Sequence, residues 1–159
     1  MNKLQTCALG FALVLIIMAA LVSMADAQST QADITLSGAD VVKVYDGDTI
    51  FVNIPNLPPV FGKRIGVRIS NIDTPELHSR CKNEQAKAYE HNLATEARLL
   101  LVNQITPSSV VTLTEVKRDK FFRINAVVLV DGVNVTDALV AAKLARPYNG
   151  GTKQTWCVQ

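Results

Sequence analysis

The chain has 159 residues, enough for one domain and too few for a comfortable second. Its 48% apolar content is inflated by the first two dozen residues, which leaves an ordinary small globular remainder, and its three cysteines exclude a metal-binding cysteine cluster. The net charge of +2 neither demands nor excludes a polyanionic partner. From the start, Lys3 precedes an apolar run of fifteen residues, Ala8 to Val22, and Ala25-Asp26-Ala27 places small residues where a signal peptidase reads. This predicts a signal peptide over residues 1–27, since the run is shorter than the ~20 residues that span a bilayer. Export to the periplasm or the medium follows, with no stable membrane association after cleavage. Cleavage removes Lys3 and Asp26, so 16 basic and 14 acidic residues become 15 and 13 and the net charge stays at +2.

Residues 28–38 are polar and small without a sustained period and read as an N-terminal tail, leaving 39–159 as the folded domain. Asp40 to Tyr45 and Thr49 to Ile54 are rich in β-branched and aromatic residues and are split by Asp46-Gly47-Asp48, the composition of a hairpin. A loop with Pro55, Pro58, Pro59 and Gly62 leads to a third strand over Arg64 to Ile72. There Ile65, Val67 and Ile69 share one face, so Arg68 points to the other. The period then changes. Ala86, Tyr89, Leu93, Ala97, Leu100 and Leu101 recur at spacings of three and four, which predicts an amphipathic helix over Asn83 to Ile105. Strands over Val110 to Val116 and Ile124 to Val130 follow, then a short helix from about Thr136 to Ala145. The predicted class is α+β dominated by β. Three strands, a long helix, two strands and a short helix are the element order of a five-stranded OB-fold barrel, an order that other α+β folds share.

Three clusters carry candidate chemistry: Asp46-Gly47-Asp48-Thr49, Arg68 with Asp73-Thr74-Pro75-Glu76, and Arg118-Asp119-Lys120-Phe121-Phe122-Arg123. Singly, each reads as turn or solvated-hairpin chemistry. Together they supply oxygen ligands for a hard cation, a base to prepare water and guanidinium groups for a phosphate, the three needs of a phosphodiesterase. In this order and at similar intervals the motifs resemble the staphylococcal nuclease family, from about Val41 to Tyr148. The late run Leu144 to Gly151, ending in Trp156-Cys157, resembles that family's secreted bacterial branch.

The resemblance implies a calcium-dependent enzyme that hydrolyses DNA and RNA to 3′-phosphate and 5′-hydroxyl ends. It implies Asp48 and Asp73 as carboxylate ligands of Ca2+ and Thr74 as a carbonyl ligand. Arg68 and Arg123 would grip the scissile phosphate, Glu76 would be the general base, Lys120 would contact a second phosphate, and Phe121 would stack on a base. Asp46 is expected to fix its turn, and His78 and His91 to be solvated. Two departures stand out. Phe121-Phe122 occupy the place of a common Tyr-Gly pair, and no long terminal helix follows, so another element must close that side of the barrel. With Cys7 removed, Cys81 and Cys157 are the remaining thiols, and export favours a bridge between them. The expected protein is a monomer. The alternatives are a catalytically silent OB-fold module that binds nucleic acid and a secreted interaction scaffold.

Overall fold

A computed structural model describes residues 32–119 and 121–157. The predicted signal peptide and Lys120 lie outside the described residues. The strands are β1 (Ile34–Ser37), β2 (Val41–Val44), β3 (Thr49–Val52), β4 (Ile65–Ile69), β5 (Ile72–Asp73), β6 (Val110–Arg118), β7 (Ile124–Val130), β8 (Val133–Asn134) and β9 (Arg146–Pro147). The helices are α1 (Pro59–Gly62), α2 (Glu84–Gln104) and α3 (Val135–Ala141). The main sheet runs β1-β6-β7-β4-β3-β2, with β8 added to β7. Its two edges, β1 and β2, are consecutive in the chain and separated only by a 3-10 turn over Gly38–Asp40. One bent strand thus pairs with β6 through its first half and with β3 through its second, which curls the sheet into the OB-fold barrel.

The interior follows from alternation along each strand. Ile50, Val52, Val67, Ile69, Val111, Leu113, Ala126 and Val128 point inward and are almost fully buried. Leu101 of α2 and Leu139 of α3 join the same core. All pairings in this sheet are antiparallel except β4 with β7, which brings Arg68 beside Asn125.

Ile34–Ser37 form a strand where the polar composition of 28–38 predicts a tail. Only Ile34 and Leu36 alternate there, and pairing with Val110 to Leu113 supplies the rest. The long helix stands where its period predicts it, opened by Asn83, whose side chain accepts from the Ala86 N–H at 2.7 Å. Its buried face differs in detail: Ala86, Glu90, Ala94, Ala97 and Leu101 turn inward, while Tyr89 is 47% exposed. Small residues let the helix lie close to the barrel. Helix α3 stops at Ala141, short of the predicted end. Lys143 takes a positive φ of 60°, and the Lys143 and Leu144 N–H groups reach back to the Val140 and Leu139 carbonyls. This Schellman closure seats Leu144 in the core and turns the chain toward β9.

Candidate functional site

The Asp46-Gly47-Asp48 turn joins β2 to β3 and rests on α2. Asp46 Oδ1 accepts the Asp48 N–H at 3.1 Å, the turn-fixing contact expected of it. A Cβ at Gly47 would stand 2.7 Å from Ala97 Cβ and 3.0 Å from Thr74 Cβ, so only glycine lets the turn approach the helix this closely. Asp48 is thereby buried and held on three sides. It accepts from Thr49 Oγ1 and Thr74 Oγ1, each at 3.0 Å, and pairs with Arg68 Nη1 at 2.6 Å. Arg68 projects from the outer face of β4, opposite Val67 and Ile69 as the alternation predicts. It also donates to the Ile69 and Ile72 carbonyls at 3.2 and 2.9 Å.

Asp73, on β5, is 2% exposed. Both of its oxygens face the segment Lys153 to Cys157, which we term the strap. Trp156 Nε1 donates to Oδ2 at 2.9 Å, and Lys153 Nζ stands 2.7 Å from Oδ1 without hydrogen-bond alignment. The same ammonium donates to Glu76 Oε1 at 2.8 Å. Asp73, Glu76, Arg80, Lys153 and Trp156 line a cleft of about 370 Å³. The loop carrying Glu76 is held from beneath by Glu90 of α2, whose buried carboxylate accepts the Glu76 N–H at 3.2 Å and the Ser79 hydroxyl at 2.5 Å.

Arg123 reaches the same outer face from the β6–β7 loop. A Cβ on Gly66 would lie 3.2 Å from Arg123 Cγ, so the arginine stem crosses β4 two residues from Arg68. Its Nε donates to Asp119 Oδ2 at 2.8 Å. Phe121 and Phe122 are exposed beside it, with the Arg123 guanidinium 5.4 Å from the Phe121 ring and that of Arg118 4.1 Å from the Phe122 ring. A bulge in β6 at Glu115, with φ of 50°, precedes this loop.

Burial makes the turn a costly place for negative charge. Burial, reinforced by repulsion from Asp48, raises the Asp46 pKa to about 7. Burial likewise raises Asp48 despite the pull of Arg68. The ligand atoms that Asp48, Asp73 and Thr74 offer are oxygens only, a set that fits a hard divalent cation. Among the described residues, the one set of three or more His, Cys, Asp or Glu side chains with ligand atoms mutually within 4.8 Å is Cys81, Glu90 and Cys157. There the two sulfurs are bonded to each other, with a Cα–Cα distance of 5.6 Å. The expected bridge is present. His78 and His91 are exposed, and His91 Nδ1 contacts the Leu77 carbonyl.

Residues 66–156 match the family model described as staphylococcal nuclease homologue, more than half of the chain. The chain belongs to the staphylococcal nuclease family. No sequence among curated proteins matches it. Membership makes it a nuclease-type hydrolase with a nucleic-acid substrate, in a family that is metal-dependent in general. Two features bear on the departures from the family pattern. Phe122 holds a φ of 62° at the place where the family commonly has glycine, so the turn survives without its glycine. The strap lies across Asp73 and Glu76 and is bridged to Cys81. Arg146 ties it down through the Gln154 and Thr155 carbonyls at 3.3 and 3.1 Å and stacks 3.7 Å from the Trp156 ring centroid. Sequence reading did not assign Arg146, Lys153, Trp156 or Glu90 to the site. Arg146 and Trp156 stand in the late run that resembles the family's secreted branch, and Glu90 is a charge four residues from both Ala86 and Ala94 on the buried face, whereas Lys153 carries no such signal.

Proposed function

We propose that the protein is an exported, monomeric, calcium-dependent phosphodiesterase that cleaves DNA and RNA to 3′-phosphate and 5′-hydroxyl ends. The observation that carries this reading is the convergence of Asp48, Arg68, Asp73 and Glu76 with Arg123 on one outer face beside β4. Calcium held by Asp48, Asp73 and the Thr74 carbonyl would supply fixed positive charge beside the scissile phosphate. Arg68 and Arg123 bind the phosphate oxygens, Arg68 exchanging backbone carbonyls for them and Arg123 using its Nη groups. Glu76, half-exposed at the cleft mouth, orients a water and accepts its proton as the oxygen bonds to phosphorus. The bond from phosphorus to the 5′ oxygen breaks, and that oxygen takes its proton from solvent water as Glu76 returns its own to solvent. The exposed Phe121 ring stacks on a base, and Lys120 offers its charge to a second phosphate. Export is supported by the leader-like residues 1–27 and by the Cys81–Cys157 bridge. No helix among the described residues is long and apolar enough to cross a membrane.

The test is digestion of single-stranded DNA and RNA with end-group analysis, with chelator and with calcium restored. Calcium-restored cleavage leaving 3′-phosphates supports the reading. Binding without cleavage under every condition would identify a silent OB-fold module instead, and rescue by zinc alone would overturn the ligand assignment.

A further inference from the structure

The chain is held on both sides of Lys153. Before it, Gly150 and Gly151 turn at φ of 100° and 89°, and the Tyr148 hydroxyl donates to the Gly151 carbonyl. After it come the Arg146 clamp, the Trp156 bond to Asp73 and the bridge to Cys81. The lysine is therefore delivered to one place, 2.7 Å from Asp73 Oδ1 and 2.8 Å from Glu76 Oε1. An ammonium bridging two carboxylates neutralises the charge that would draw in a metal ion. A divalent cation binding Asp73 meets a like charge on the same carboxylate.

We propose that Lys153 is a resident counter-cation that bridges Asp73 and Glu76 and sets the affinity of the site for its divalent cation. The inference rests on the calcium reading above. It assigns to the strap, through this one residue, a part in metal binding. Cation entry requires the ammonium to leave Asp73, and the strap's anchors keep it close enough to return.

The chain contains a single tryptophan, Trp156, whose indole N–H bonds to Asp73, so its fluorescence reports on that carboxylate without any substrate. Calcium is titrated into the exported, oxidised protein and into Lys153→Met, Lys153→Arg and Lys87→Met, with calorimetry in parallel. Lys153 is 42% exposed, so its replacement leaves the core intact. Lys87 pairs with Glu84 on α2 and controls for loss of one surface charge. The expected result is calcium binding at least about tenfold tighter in Lys153→Met, with Lys153→Arg and Lys87→Met within about threefold of the parent. Equal or weaker binding by Lys153→Met, or the same gain in Lys87→Met, overturns the role of Lys153 while leaving the calcium site standing. Absence of calcium binding in every variant by both methods overturns the site and this inference together.

Discussion

Arg68 and Arg123 lie on one face but are built into it differently, and their variants should separate. Arg123 is paired with Asp119 at the surface, so Arg123→Lys is expected to lower turnover by about a hundredfold or more with an unchanged denaturation midpoint. Arg68 neutralises buried Asp48 and caps two carbonyls. Arg68→Lys should therefore lose turnover and also about 1–2 kcal/mol of stability, less than outright removal of a buried ionic partner. Urea melts beside single-turnover rates distinguish the two, and equal stability losses would contradict the placement. Glu76→Gln is expected to reduce turnover by a factor of about 10²–10⁴ without a stability change, because its carboxylate is half-exposed. At Phe122, a bulky side chain at positive φ carries strain that its contact with Arg118 only partly offsets. Phe122→Gly should stabilise the protein by about 1 kcal/mol, read as a raised urea midpoint. A lowered midpoint would show that the ring contacts outweigh the strain.

The β6–β7 loop depends on one carboxylate. Asp119 accepts from the Phe121 and Arg123 N–H groups and from Arg123 Nε. Burial alone would raise its pKa, but these bonds and the Arg123 charge outweigh it and hold the pKa below the ordinary value of 3.8. The folded pKa is the lower of the two, so the stabilisation is present above the unfolded pKa and is lost as pH falls through the folded one. Amide exchange at Arg123, corrected for intrinsic rates, should therefore accelerate below about pH 4 in the parent and be insensitive to acid in Asp119→Asn. Equal acid sensitivity in both would remove Asp119 from the loop's support. Most elements of the barrel could be read from the chain, because β-branched runs broken by Asp-Gly and proline-rich turns declare themselves locally. The two-residue strands β5, β8 and β9 could not, since only a partner brought by the tertiary fold makes two residues a strand. Tyr89 and Glu90 show the same limit. The apolar period placed the tyrosine inward, yet the Glu76 and Ser79 donors make burial of the neighbouring glutamate the better solution.

Across the whole molecule, the site's motifs were readable because each is contiguous, whereas its strap was not. No local pattern tells which carboxylate a lysine will meet 77 residues away. The bridge could be expected only because the predicted signal cleavage leaves two thiols. It closes a loop with a sequence separation of 76 residues, worth roughly 4 kcal/mol in the chain-entropy model. Cys157→Ser, compared with the oxidised parent by calorimetric melting in the presence of an alkylating agent, should melt several degrees lower. An unchanged melting temperature would mean that the strap is held by Arg146 and Trp156 alone. The bridge also divides the chain topologically. Asp48, Arg68, Asp73 and Glu76 precede the covalent ring that Cys81 and Cys157 close, while Arg123 lies within it. A protease that cuts once inside that ring, for instance in the exposed stretch at Gly150 to Lys153, releases no fragment. The two pieces stay tied through sulfur, and a nicked preparation migrates as one full-length band until thiol is added to the gel.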